Sequence, residues 1–599
     1  MIELRQHLEN MTGDDLKGFL KLLHISQQGL TRKAHFIEAV EKQLTGQLPT
    51  VLRGLSDPER LWLADSAHAG RFVGHVEFKA RFGAQWPWRQ RPGSWSYGTE
   101  PTLLDAMVYR DQHLGRNLMV PSLVEPLKAN LPRPEIPGMK TVKELPLNPS
   151  RTEGSNHKPL QVFVSDIAPM ELGRVLRLVQ SGKVKVTDST RRATDASTRL
   201  VSQALVAPDF VLERPAEAVN PAWMDSSELV GSVRAHAWGA LVQQCGWAKA
   251  KGSVLTLTSS GQQILSGFVP RLYQAGVARF IANGDFDELH RVNHIRGQTG
   301  KYSSRYISCP SDRKSAICKV LAQWPQGEWL EYSEALRSVN AFGGDWDVMK
   351  ASGFLFLCEA EYGSINDVPA VSSQYLRALL MESLATLGLV DIGYVYPHGE
   401  WPDLRGQWGA DEMEFLGRYD GLRYVRLSPL GAFCFGVNTN YTPQVAERTK
   451  LFRVLANHEL VLTEARIDPG SRAMLELMAV PQTDVVWRLD ADRILSHVEA
   501  GGSFPELTKF LQAQATDVLP ENVQVFLRDL ESKLGACQGV RSAFLIDWND
   551  EATARLVANS TGLRKVCRYA GGNTVAVSAA DYRTFARLVK KLGYVVPSQ

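Results

Sequence analysis

The residues from Cys245 to Ile264 read Cys-Gly-Trp-Ala-Lys-Ala-Lys-Gly-Ser-Val-Leu-Thr-Leu-Thr-Ser-Ser-Gly-Gln-Gln-Ile. Gly246 stops a helix, Lys251-Gly252-Ser253 turns a hairpin, and Thr258 is placed to cap the next helix. The same grammar returns at Leu387-Gly388-Leu389-Val390-Asp391-Ile392, which opens a strand, and at Tyr424-Val425-Arg426-Leu427-Ser428-Pro429-Leu430-Gly431, which closes it. Residues 396–419 are inserted between. A chain that writes helix, wing, helix twice with two wing lengths is a row of small units. Its 599 residues are enough for roughly three to five such domains, each with its own core.

Further patterns fill in the row. Thr12 and Thr31 are placed to cap helices carrying Leu16, Phe19, Leu20, Leu23 and Phe36, Ile37, Val40. This two-helix segment is similar in size to a SAP motif, and its loop Gly29-Leu30-Thr31-Arg32-Lys33 would bring two cations to a helix start. Helical spacing follows at Pro58–His68, Val76–Phe82 and Leu103–Tyr109, then a strand at Asn117–Val120. That order is winged-helix grammar. The interruption from Trp86 to Trp95 interleaves aromatics with cations, as single-strand stacking surfaces do. We read it as a Pro/Gly loop whose tryptophans tuck onto the domain. The expected divisions are 1–50 SAP-like, 56–132 winged-helix-like, 133–159 linker, 160–215 a basic helix-turn-helix-like unit, 226–290 winged helix, 291–314 a basic loop, 315–440 a winged helix with a long wing insertion, and 448–599 a terminal α/β domain.

The formal charge of +3 is too small to announce a polyanion partner, so local concentrations matter. From Arg174 to Arg199 seven cations (Arg174, Arg177, Lys183, Lys185, Arg191, Arg192, Arg199) face Asp188 and Asp195, a balance of +5. Arg291, Arg296, Lys301, Arg305, Arg313 and Lys314 face only Asp312 in a Gly/Ser-bearing loop, again +5. The hairpin adds Lys249 and Lys251. From Arg564 to Lys591 the balance is +6, with Arg583, Arg587 and Lys590 on one helical face. Such clusters attract phosphate, and each also suits a solvated surface or an acidic protein partner. The candidate DNA contacts are Arg32, Lys33, Arg174, Lys183, Lys185, Arg191, Arg192, Lys249, Lys251, Arg296, Lys301, Arg305, Arg583 and Arg587.

Several chemistries lack their signatures. There is no Gly-x-x-x-x-Gly-Lys-Ser/Thr loop to cradle a nucleotide, no His-Glu-x-x-His, no Gly-x-Ser-x-Gly elbow and no Cys-x-x-Cys pair among seven cysteines. His290 and His294 are four apart without further ligands and are read as ordinary histidines. No catalytic residue, metal or cofactor is assigned. With 44% apolar residues, no long apolar span and a mixed-charge start, the composition suggests a cytoplasmic, nucleoid-associated protein without a membrane or small-molecule partner.

The C-terminal region carries a resemblance. It reads Trp487-Arg488-Leu489-Asp490, Leu519-Pro520-Glu521-Asn522-Val523, Leu563-Arg564-Lys565-Val566-Cys567-Arg568-Tyr569, Gly571-Gly572-Asn573, Val575-Ala576-Val577 and Leu592-Gly593-Tyr594-Val595-Val596. In that order the segments resemble the N-terminal, non-motor domain of XPB-like helicases, as found in bacterial helicase-associated proteins that carry upstream winged-helix units. The resemblance implies strands near Leu460–Leu462 and Phe544–Trp548 and helices near Ala491–Glu499, Phe504–Gln514 and Val523–Lys533. It further implies an accessory DNA-handling role beside a motor that this chain lacks. The expectation is an α-rich, multidomain α+β protein: a non-catalytic DNA-binding adaptor for a helicase or nuclease partner in repair or in defence against foreign DNA. The alternatives are a protein-interaction scaffold whose winged helices do not bind DNA, or a nuclease without a linear motif.

Overall fold

The computed structural model describes residues 3–88, 102–111, 116–146, 160–210, 231–297, 307–349, 355–358, 364–365, 368–397, 400, 416–443, 450–464, 467–534, 536 and 542–597. Helices and several small sheets make a mixed α+β chain of two compact units, Met1–Arg448 with Ile467–Ala473, and Thr449–Arg466 with Met474–Gln599.

The first unit begins with helices α1 (Leu4–Glu9), α2 (Gly13–Leu22), α3 (Lys33–Gly46), α4 (Leu48–Gly54), α5 (Asp57–Ala69) and α6 (His75–Phe82). The hairpin β1 (Val108–Asp111) and β2 (Arg116–Met119) and helix α7 (Pro121–Asn130) follow. One core runs from Leu4 to Leu131, so segments 1–50 and 56–132, separable by sequence pattern, share an interior. A pair of short helices buries too little apolar surface to stand alone. Thr12 caps α2 through a reciprocal bond with Asp15. Thr31 does not cap α3: Arg32 occupies that position without a side-chain bond, while the Thr31 N–H donates to His35 Nδ1 at 3.4 Å. The expected helix at Leu103–Tyr109 is one 3₁₀ turn, Leu103–Ala106, after which pairing of Val108 with Met119 draws the chain into β1. Residues expected to be linker are partly anchored, since Val142 pairs with Trp329 and the Lys140 N–H donates to Glu334 Oε1 at 2.9 Å.

Two copies of one element order come next. After β3 (Gln161–Phe163), the first copy comprises α8 (Ala168–Gln180), an extended segment through Lys185, α9 (Asp195–Ala204), α10 (Arg234–Gln244), and the hairpin β4 (Ala248–Lys251) and β5 (Val254–Leu257), closed by α11 (Ser259–Ser266). Lys185 pairs with Val254, so segments 160–215 and 226–290 complete a single unit. Helix α12 (Pro270–Ala282) and strand β6 (Ile295–Arg296) lead to the second copy. This has α13 (Pro310–Leu321), β7 (Leu330–Glu331), α14 (Tyr332–Phe342), α15 (Val368–Ala378) continued by a π-helical turn Leu379–Leu384, and the hairpin β10 (Val390–Tyr394) and β11 (Leu422–Leu427), closed by α16 (Pro429–Cys434). Strands β8 (Phe356–Cys358) and β9 (Ser364–Ile365) join β6 in a separate small sheet.

The copies agree bond for bond where they leave their third helices. Gly246 (φ +73°) and Gly388 (φ +72°) take the left-handed conformation that ends a helix. The Trp247 N–H donates to the Val242 carbonyl and the Leu389 N–H to the Leu384 carbonyl, both at 2.9 Å. Across the hairpin, the hydroxyls of Thr258 and Ser428 donate to the carbonyls of Gly246 and Gly388 at 2.7 and 2.5 Å. The same two hydroxyls accept from the N–H groups of Gly261 and Gly431. A Cβ on Gly261 or Gly431 would land on the carbonyl oxygen of Trp247 or Leu389. Strand register is shared too: Ala248 faces Leu257 as Val390 faces Leu427, and Lys185 faces Val254 as Glu331 faces Tyr424.

In both copies the third helix is internal. No residue from Val233 to Cys245 is exposed, and every residue from Ala370 to Leu384 is buried. Helix α10 contacts the π-helical turn of the other copy. Apolar packing is laced with buried ion pairs: Arg234 with Glu171, Arg291 with Glu382 at 3.0 Å, and Arg313 with Asp287 at 2.6 Å.

In the second unit, β12 (Phe452–Val454), β13 (Glu459–Leu462), β14 (Ala479–Pro481) and β15 (Val486–Leu489) form an antiparallel sheet in the order β12-β13-β15-β14. Helix α17 (Pro469–Glu476), counted with the first unit up to Ala473, precedes β14, and α18 (Ala491–Glu499), α19 (Phe504–Gln514) and α20 (Glu521–Leu534) follow β15. Strands β16 (Ala543–Asp547), β17 (Cys567–Gly571) and β18 (Thr574–Ser578) then pair in the order β16-β18-β17. Helices α21 (Glu551–Asn559) and α22 (Tyr582–Lys591) belong with these strands, and they share a core of Ala554, Val557, Val575, Val577, Phe585 and Val589.

Candidate nucleic-acid interface

Strand pairing in the first copy sorts the basic residues by face. Strand β5 lies between β4 and the extended segment through Lys185, with Val254 opposite both Lys251 and Lys185, and Thr256 opposite Lys249. Residues directly opposite share a face, and so do residues two apart along a strand. Lys185, Lys249 and Lys251 therefore stand on one face around Val254 and Thr256, and Lys183, two residues before Lys185, adds to it. All four lysines are exposed, whereas Val184, Val186 and Leu255 turn into the core. The same alternation that packs the hairpin sets its lysines outward.

The geometry concentrates charge. Backbone positions two residues apart along a strand lie about 7 Å from one another, and those on the flanking strands about 9.5 Å, which sets the scale for the separation of their ammonium groups. In water each near pair repels by roughly 0.5 kcal/mol. A polyanion laid over the face would convert that repulsion into attraction. Arg191, at φ +56°, donates from Nη1 to the Gly252 carbonyl at 2.9 Å and so clamps the hairpin tip.

The other candidates are dispersed. Arg32 is exposed, Lys33 donates to the Glu9 carbonyl at 2.7 Å, and Arg174 reaches the Ala204 and Leu205 carbonyls at the end of α9. Arg192 lines a cavity of about 30 Å³, roomy enough for water, with His236, Arg291 and Glu382. Burial there lowers the His236 pKa to about 4, against the raising effect of Glu382. Arg296 is exposed on β6, and Arg583 and Arg587 are exposed on α22 of the second unit. Lys301 and Arg305 lie outside the described residues. Half of the cations counted in 291–314 are not on an open loop. Arg291, Arg313 and Lys314 serve Glu382, Asp287 and Glu288 inside the fold, where the acids offset the desolvation of the cations.

Trp86 and Trp88 pack on Trp62 and Phe72, with ring centroids of Trp62 and Trp88 4.8 Å apart. Residues 89–95 of the Trp86–Trp95 loop fall outside the described residues. Cys245, Cys318 and Cys567 are the expected core thiols, while Cys309 is exposed. Among the described residues no group of three His, Cys, Asp or Glu side chains could hold a metal, and no helix is long and apolar enough to cross a membrane. No protein-family model and no curated protein matches this chain.

Proposed function

We propose that the two copies are winged-helix units and that the chain is a non-catalytic DNA-binding adaptor. It would contact the phosphate backbone through the wing of the first unit. The observation that carries this reading is the grouping of Lys183, Lys185, Lys249 and Lys251 on one exposed face of that wing. Because α10 offers no exposed residue, base reading by that helix in the major groove is unavailable, and recognition through the wing would follow backbone charge and shape. The resemblance of the C-terminal region to the non-motor domain of XPB-like helicases supports a helicase or nuclease partner in repair or defence. Fluorescence anisotropy with duplex and forked DNA across a salt series, with and without magnesium and ATP, tests the proposal. Salt-sensitive binding indifferent to ATP is expected, and no binding at low salt would overturn it.

The burial of both third helices also favours a second reading, a scaffold in which winged helices serve assembly. Under it, charge reversal of the wing lysines would leave DNA behaviour unchanged and disrupt capture of a protein partner.

A further inference from the structure

The N-terminal stretch carries an open cavity of about 590 Å³ lined by His75, Lys79, Gly83, Ala84, Gln85, Trp86 and Trp88. Its construction follows from the sequence. Helix α6 ends at Gly83 in the left-handed conformation (φ +65°), which turns the chain back. Residues 84–88 then lay two indoles against α5. The Trp88 indole N–H donates to Asp105 Oδ1 at 2.8 Å, and its ring stands edge-on to Trp62 at 84°. Trp86 lies 4.9 Å from Trp88, at 36° between planes, and 5.2 Å from the His75 imidazole. The result is a half-buried aromatic floor whose rings are braced from behind by Trp62, Phe72 and Phe78.

The charges around the floor select the ligand. An aromatic recess lined with acids would suit an organic cation, but no acid is among the described lining residues, and those nearby on α5 and α6 are already engaged. Glu77 is held by Arg71 and by Arg81, each at 2.5 Å, and Asp65 by Arg81 at 2.7 Å. Lys79 is exposed and makes no ion pair among the described residues. A flat ring stacked on Trp86 with an anionic group beside Lys79 satisfies both features, and that pairing of base and phosphate is a nucleotide. The geometry points to a binding site for an unpaired nucleobase of a single-stranded nucleic acid, with the base on Trp86 and its phosphate at Lys79. This rests on the proposed nucleic-acid role and adds to it a strand preference and a second, independent contact.

The test uses the full chain with Lys183, Lys185, Lys249 and Lys251 all changed to Gln, so that the wing does not mask the pocket. Anisotropy is read with a short labelled oligothymidine and with an abasic strand of the same length. Oligothymidine should bind about tenfold more tightly than the abasic strand, as base stacking on an aromatic ring allows. Trp86→Ala should abolish that difference and Trp86→Phe should keep most of it. Lys79→Gln, a surface change, should weaken oligothymidine about threefold and flatten its salt slope by about 0.7. Equal binding of the two strands, or no effect of Trp86→Ala and Lys79→Gln, would overturn the site. Thymidine monophosphate competing as tightly as oligothymidine would overturn the single strand as its occupant. Duplex binding by the chain with and without the four Gln changes reports on the wing separately, so the failure of either proposal is distinguishable.

Discussion

The two helix–strand–helix–helix–hairpin copies share their glycines, their capping hydroxyls and their strand register, yet their wing faces carry opposite solutions. In the first copy the row across the sheet is Lys251, Val254, Lys185, and beside it stand Lys249, Thr256 and Lys183. In the second, the positions of Lys249 and Thr256 are taken by Asp391 and Arg426, and those of Lys251 and Val254 by Gly393 and Tyr424. Arg426 pairs with Asp391 at 2.7 Å and covers the Trp329 ring at 4.4 Å. Asp391 also accepts from the Ser165 hydroxyl at 2.8 Å, and β3 pairs along the outer edge of β10. With Glu331 in the place of Lys185, the second face has no excess of cations and is occupied, and the first is basic and exposed. One scaffold is thus used once to build the molecule and once to hold a group of exposed lysines.

The largest effect that would sharpen this contrast concerns stability. Glu171→Ala leaves Arg234, which is fully buried, without its carboxylate in the first copy. A loss on the order of 3–5 kcal/mol is expected, seen as a fall in the denaturation midpoint of the first unit. Gly261→Ala and Gly431→Ala probe the shared turn after each hairpin. Both place a methyl on a carbonyl oxygen, and each should cost roughly 2–4 kcal/mol. Tolerance of one and not the other would break the equivalence of the copies.

Acid should act where the copies meet. The His236 pKa lies near 4 in the fold against about 6.5 in the unfolded chain, so between these values only the unfolded chain takes up the proton. The stability due to neutral His236 is complete above pH 6.5 and falls as pH drops toward 4, by up to about 3 kcal/mol. Urea titrations of the wild type and of His236→Gln across that window should show the slope and its disappearance. The smallest expected effect is that of Arg426→Met. It removes one cation–π interaction and one partly exposed ion pair and should lower stability by about 1–2 kcal/mol without changing DNA binding.

Elements with strong local signals were legible in the sequence. Helices α18 and α19 run over the expected Ala491–Glu499 and Phe504–Gln514 because Asp490 and Ser503 cap them and their apolar residues recur at helical spacing. The two hairpins were readable from their glycines. Closure of the first copy was not, since the pairing of Lys185 with Val254 joins segments separated by two helices and a long connection. Charge counting misled at 291–314 because a count cannot see that Arg313 and Lys314 point inward to acids from another segment. The lysine face emerges only from register. A signal for the repeat was nevertheless present, since Thr258-Ser259-Ser260-Gly261 and Ser428-Pro429-Leu430-Gly431 align once Gly246 is set on Gly388 and the insertion 396–419 is gapped.

The most direct measurement is the salt dependence of duplex binding for the wild type, for the chain with Lys183, Lys185, Lys249 and Lys251 changed to Gln, and for Arg426→Met. The account predicts that the log–log slope of the four-lysine variant is shallower by about 3 to 4, near 0.9 for each phosphate no longer neutralised, while Arg426→Met keeps the wild-type slope. An unchanged slope in the four-lysine variant would contradict the claim that the first wing is the phosphate-binding face.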